Sequence, residues 1–312
     1  MLSLFGAAFL GWSLGANDSA NTFGTAVSSR MVSMKLAVVL IAVFVIVGAA
    51  MQGAHGIETV STLSTQTMHT AILSSFAAAG TVTLMTILKL PVSTSQAVVG
   101  AILGVGLTAE NDVAWSKLIK VLVCWIGTPI GAIICSVILW HLLRAIIRFW
   151  RPSIFVYDPA MRWALIVCGC YSAYALGANN VANVTAVFVS DDLNVSQAAM
   201  MGGIFIAAGS LTFGHRVMRT VGRGIVKLDA FAALVAVLSL AITVHVYAMI
   251  GVPVSTSQAI VGAVIGIGMI NGLQTINTKA LRRVCLGWVA TPFVAAFVGS
   301  ALFFLTHLSY QP

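Results

Sequence analysis

One phrase occurs twice in this chain. PVSTSQ stands at 91–96 and again at 253–258, 162 residues on. GAND at 15–18 and GANN at 177–180 keep the same spacing, and WIGTP at 125–129 answers WVATP at 288–292 with one residue more. A spacing held over such distances means one structural unit written twice. The copies are 1–143 and 163–312, with a basic connector at 144–162.

That unit has to live in lipid. Hydrophobic residues make up 59% of 312 and charged residues 8%, against about 25% charged in soluble domains. Stretches such as 36–50 and 284–305 could cover most of a hydrocarbon core of about 30 Å. The expected fold is therefore an all-α polytopic membrane protein with the lipid bilayer as solvent. The net charge of +8 sits mostly in loops, as membrane orientation requires, and implies no nucleic acid. Cys124, Cys135, Cys168, Cys170 and Cys285 fall in apolar stretches and read as packing residues. No phosphate-cradling G-x-x-x-x-G-K-[ST], no Ser–His–Asp order and no metal-ligand spacing occurs. Nothing points to an enzyme or to a bound cofactor. The apolar start, 2–14, lacks a basic flank and recurs in the second half, so it reads as structural.

Loop charge suggests how the copies sit. Arg30 and Lys35 follow the first GAN segment, whereas Asp191 and Asp192 follow the second. His55 and Glu58 occupy the next loop, against Arg216, Arg219, Arg223 and Lys227. Later, Glu110, Asp112 and Lys117 face Lys279, Arg282 and Arg283, and the connector adds Arg144, Arg148, Arg151 and Arg162. If basic loops face the cytoplasm, the two copies are inverted in topology. The parity closes when each unit such as 67–109 is a helical hairpin that returns to the side it entered. Both termini then lie outside and the connector inside.

The repeated phrase explains itself as a helix start. Proline ends the helix before it, and the serines and threonines beside it are N-cap residues. Each PVSTSQ should open a half-helix within the membrane, presenting free N–H groups and a positive dipole end. Ser93, Thr94 and Ser95, with Ser255, Thr256 and Ser257, would add hydroxyl donors. Two such ends related by the repeat make a cage suited to a tetrahedral oxyanion near the midplane. The GAN segments supply the complement. Glycine permits unwinding, and unwound backbone with side-chain oxygens can ligate a hard cation. Asn17, Asp18, Asn21, Asn179, Asn180 and Asn183 provide those oxygens, and Asp18 is a carboxylate deep in the membrane, functional by default. The cation would sit at Asn17, Asp18, Asn179 and Asn180. Lys89, whose counterpart is Gly251, reads equally as an anion attractor or a snorkelling side chain.

At these residues the chain resembles the inorganic phosphate transporter (PiT) family. GANDSANTFGTAV is similar to the family's first signature and PVSTSQAVVGAILG to the segment after its hairpin. The resemblance spans essentially the whole chain, as in a short prokaryotic member. It implies a secondary active transporter, a cation-coupled symporter driven by co-transported Na+ or H+, commonly a homodimer, in a prokaryotic inner membrane. It assigns the anion to the six Ser and Thr residues, and the cations to Asp18 and the asparagines, which also line the site. The departures are specific. Asn180 stands where many members have aspartate, and Gln96 and Gln258 where many have histidine; both glutamines are accessory candidates. Val45, with Ala207 as its repeat partner, replaces a glutamate of eukaryotic members. Fewer acids argue for fewer sodium ions or for protons. Phosphate, which can donate a proton to Asp18, is expected as substrate. Sulfate or another tetrahedral oxyanion is the alternative, and an anion channel is a third reading.

Overall fold

Long apolar runs with few breakers fold as helices, because in lipid each backbone N–H and C=O must be satisfied within its own segment. The computed structural model describes residues 2–88, 90–189, 193–221, 228–272 and 277–308. Among them each half forms six α-helices. The first half holds α1 (Leu2–Ser28), α2 (Met34–Gln52), α3 (Ala54–Ser61), α4 (Met68–Ile87), α5 (Thr94–Thr108) and α6 (Trp115–Trp150). The second holds α7 (Ile154–Thr185), α8 (Val195–Gly209), α9 (His215–Val221), α10 (Ala230–Ile250), α11 (Thr256–Asn271) and α12 (Thr278–Leu308). Six helical stretches among the described residues are long and apolar enough to cross a membrane. The polar interval 144–162 is mostly helix: only residues 151–153 between α6 and α7 are not.

The first PVSTSQ hairpin does return to the side it enters. Before α4 and after α5 the backbone pairs, Thr65 N to Asp112 O at 3.2 Å and Ala114 N to Leu63 O at 2.9 Å. Lys117 Nζ also reaches Thr62 Oγ1. Its tip lies at the other end, between Ile87 and Thr94. In the second hairpin α10 ends at Gly251 with a left-handed φ of 76°, a conformation glycine adopts without penalty.

The halves interlock through equivalent contacts made twice. A Cβ at Gly15 of α1 would lie 1.9 Å from the Ile206 carbonyl oxygen of α8, and one at Gly177 of α7 would lie 2.1 Å from that of Val45 in α2. Gly100 of α5 meets the Pro292 carbonyl of α12, and Gly262 of α11 meets that of Pro129 in α6. Only hydrogen fits at these crossings, as in small-residue packing generally. Each half thus supplies helices that close against the other.

These crossings correct two expectations. The GAN segments do not unwind: α1 and α7 run as unbroken helix through 15–24 and 177–186, apart from a 3-10 turn that begins at Ala186. Their leading glycines serve close helix approach, not a break. The partner of Val45 is Ile206, not Ala207, because α2 and α8 have slipped one residue relative to the 162 spacing.

Candidate functional site: a buried polar cluster between the hairpin tips

Ser93 and Ser255 are the N-caps of α5 and α11, accepting from Gln96 N at 3.4 Å and Gln258 N at 3.3 Å. The half-helices therefore start where the repeated phrase places them. Their tips touch: Ser95 Oγ donates to Val254 O at 3.1 Å. Around this contact the middles of α1 and α7 bring Asn17, Asp18, Asn21, Asn179, Asn180 and Asn183. Five of the six are buried and Asn17 is half-buried; buried amides and acids need partners, and these are partnered mainly by one another and by the tips.

Asp18 is 1% exposed. Thr94 Oγ1 donates to its Oδ2 at 2.9 Å, Asn180 Nδ2 donates to the same oxygen at 3.3 Å, and Asn17 Nδ2 donates to Oδ1 at 2.8 Å. One carboxylate thus ties both GAN motifs to the first tip. Asn180 Oδ1 accepts from Asn179 and Asn183 Nδ2 at 3.0 Å each, and Ser95 Oγ, whose one proton it shares with Val254 O, lies 3.3 Å away. Asn21 Nδ2 reaches Thr256 Oγ1 at 3.1 Å, and Asn183 Nδ2 reaches Ser95 Oγ at 3.0 Å. Asn21 and Asn183 are repeat partners, and each binds the tip of the other half. Asn183 Oδ1 is buried with no hydrogen-bond partner, an acceptor of the kind a cation satisfies.

Of the six hydroxyl residues, Thr94, Ser95 and Thr256 bond the amide and acid side chains, while Ser93, Ser255 and Ser257 bond within their own tips, and only part of this cluster opens outward. A cavity of about 540 Å³ is lined by Asn17, Ser257, Thr86, Val92, Arg216 and Arg283, among others. Ser257 bonds Ser255 at 2.8 Å and otherwise faces this cavity, whereas its partner Ser95 is fully buried. Gln96 and Gln258 do not join the cluster. They line a separate apolar cavity of about 1,020 Å³ beside α6 and α12, with Trp125 and Trp288, and their Oε1 atoms have no partner. Lys89 lies outside the described residues.

Three contributors were not read as site groups from sequence. Thr86 donates to Asn17 Oδ1 at 3.4 Å, but its repeat counterpart is Ala248, so duplication gives no signal. Arg216 and Arg283 read as loop charges; both reach the cavity, Arg216 with its guanidinium 4.8 Å from the centre of the Phe213 ring.

Broken helical hairpins meeting at a buried polar cluster define a membrane transporter, whose unwound or broken segments are tolerated only where they line such a site. The chain belongs to the phosphate transporter family, whose model matches residues 14–299. It is 30% identical over 298 residues to a protein of Methanocaldococcus jannaschii named as a phosphate permease, covering 96% of this chain and 95% of that one. It is also 27% identical to the sulfate permease of Bacillus subtilis, covering 94% and 84%. A solved structure of a sodium-dependent phosphate transporter superposes with a TM-score of 0.86 at 23% identity, covering 98% of both chains. That likeness establishes the fold.

Proposed function

We propose that the protein carries inorganic phosphate across the membrane in symport with a cation, sodium by preference, by alternating access to the cluster between the hairpin tips. The observation that carries this reading is Asp18, a buried carboxylate bound by donors from Thr94, Asn17 and Asn180. A phosphate that keeps a proton near neutral pH can donate to such a carboxylate; sulfate cannot. The hydroxyls of Ser93, Thr94, Ser95, Ser255, Thr256 and Ser257 with the first-turn amides of α5 and α11 would hold the anion. Asn183 Oδ1, unpartnered, joins Asn17, Asp18, Asn21, Asn179 and Asn180 as oxygen ligands for the cation.

The side of entry follows from charge. Arg216 and Arg283 line the cavity, and basic loops face the cytoplasm. We infer an inward-open form with inverted repeats and both termini outside. The reading is tested by equilibrium binding of radiolabelled phosphate to the purified protein in sodium chloride and in choline chloride. Saturable binding that needs sodium and resists excess sulfate supports it. Phosphate displaced by equimolar sulfate makes the protein a sulfate or general oxyanion permease, as the Bacillus relative's name would suggest.

A further inference from the structure

We propose that Asn17 and Asn179 are alternating clamps: each seals one side of the site by binding the backbone of one hairpin tip, and only one is closed at a time. The proposal rests on reading the chain as an alternating-access transporter.

The closed clamp is visible in full. Asn179 is 1% exposed, and its amide bonds both backbone groups of Val254, donating to O at 2.8 Å and accepting from N at 3.1 Å. Val254 immediately precedes the N-cap of α11, where the chain has no helical partner for either group. The Asn179 side chain replaces the missing backbone neighbour, and Ser95 adds a third bond to Val254 O. Val252 beneath this contact is 0% exposed.

The equivalent clamp on the other side is open. The counterparts of Asn179, Val254 and Val252 are Asn17, Val92 and Leu90. Asn17 does not bond Val92: its amide nitrogen goes to Asp18 and its oxygen accepts from Thr86. Asn17 and Val92 instead line the 540 Å³ cavity, and Leu90 is 49% exposed. Both tips read PVSTSQ and both clamps are asparagine. Tip and clamp are thus the same in both halves while their arrangements differ; the groups that engage the open clamp, Asp18 and Thr86, stand where the second half has Asn180 and Ala248. In the opposite state the Asn17 amide bonds Val92 N and O, Asn179 releases Val254, and Val252 meets water.

Two hydrogen bonds of ordinary net strength bias an equilibrium by about tenfold or more. The test uses the full-length protein in vesicles with Leu90→Cys or Val252→Cys as reporter, neither being a binding residue. Reaction with a small water-soluble thiol reagent, without phosphate or sodium, is followed by mass spectrometry of the labelled peptides. With both clamps intact the cysteine at 90 reacts and that at 252 is protected. Asn179→Ala should raise labelling at 252 about tenfold and lower it at 90, while Asn17→Ala should do the reverse. Asn179→Asp, which keeps the acceptor and loses the donor, should give a smaller rise and carries the test if Asn179→Ala does not fold. Position 252 remaining protected in both Asn179 variants overturns the proposal. So does movement of both reporters in the same direction, which marks general loosening. Because substrate is absent, this result is independent of whether phosphate binds.

Discussion

Gly15→Ala should injure the protein far beyond what one methyl group suggests. Its Cβ would sit 1.9 Å from the Ile206 carbonyl oxygen, 2.8 Å from the carbonyl carbon and 3.1 Å from Cα. All three are backbone atoms, so no side chain can swing away. α1 and α8 must part by about an ångström, which forfeits a quarter to a half of each dispersion contact along the crossing. Overpacking of this kind costs about 1–3 kcal/mol. By the scaling of soluble chains of 150–250 residues, that lowers the unfolding midpoint by roughly 2–12 °C. Asp18 lies one turn along α1, so anion binding should weaken as well. Gly177→Ala, with its Cβ 2.1 Å from the Val45 oxygen, should behave alike. Gly80→Ala is the control: nothing lies within 4 Å of its Cβ, and alanine is favoured over glycine in a helix by about 1 kcal/mol. Thermal unfolding in detergent, followed by size-exclusion chromatography, reads all three. A wild-type midpoint for Gly15→Ala, or an equal loss for Gly80→Ala, refutes the close-crossing argument.

Further outcomes follow from the cluster. Ser93→Ala and Ser255→Ala each remove an N-cap of about 1 kcal/mol and one donor of a matched set, so phosphate binding should weaken by comparable factors; one variant at wild-type affinity contradicts the doubled site. Thr94→Val removes the 2.9 Å donor to Asp18, worth about 1.5–3 kcal/mol for a charged acceptor, and should reduce sodium-dependent binding about tenfold or more in the same assay. Asn180→Asp places a second carboxylate beside Asp18 Oδ2, 3.3 Å from the present amide nitrogen. Its unfolding midpoint should rise with added sodium more steeply than that of the native chain, and an identical sodium response argues against a cation at this position.

What was legible in the sequence was whatever the repeat wrote twice. The hairpins, their N-caps and the bonding of the amide and acid side chains to Thr94, Ser95 and Thr256 follow from PVSTSQ and the GAN motifs. The fate of Gly15 and Gly177 did not, because glycine serves both an unwound turn and a close crossing, and only the neighbour's position decides. The opposing carbonyls of Ile206 and Val45 make the choice. The one-residue slip of α2 against α8 was hidden for the same reason, since those helices carry no repeated phrase. Nor could sequence say which side is open, since both tips and both clamping asparagines are identical.

The most direct test of the account is radiolabelled phosphate uptake into proteoliposomes with an inward sodium gradient, an inward proton gradient, or neither. The account predicts saturable accumulation above the external concentration only with the sodium gradient, abolished by collapsing it. Phosphate flux that equilibrates at the same rate under every condition would contradict the coupled-carrier account and describe a passive pore.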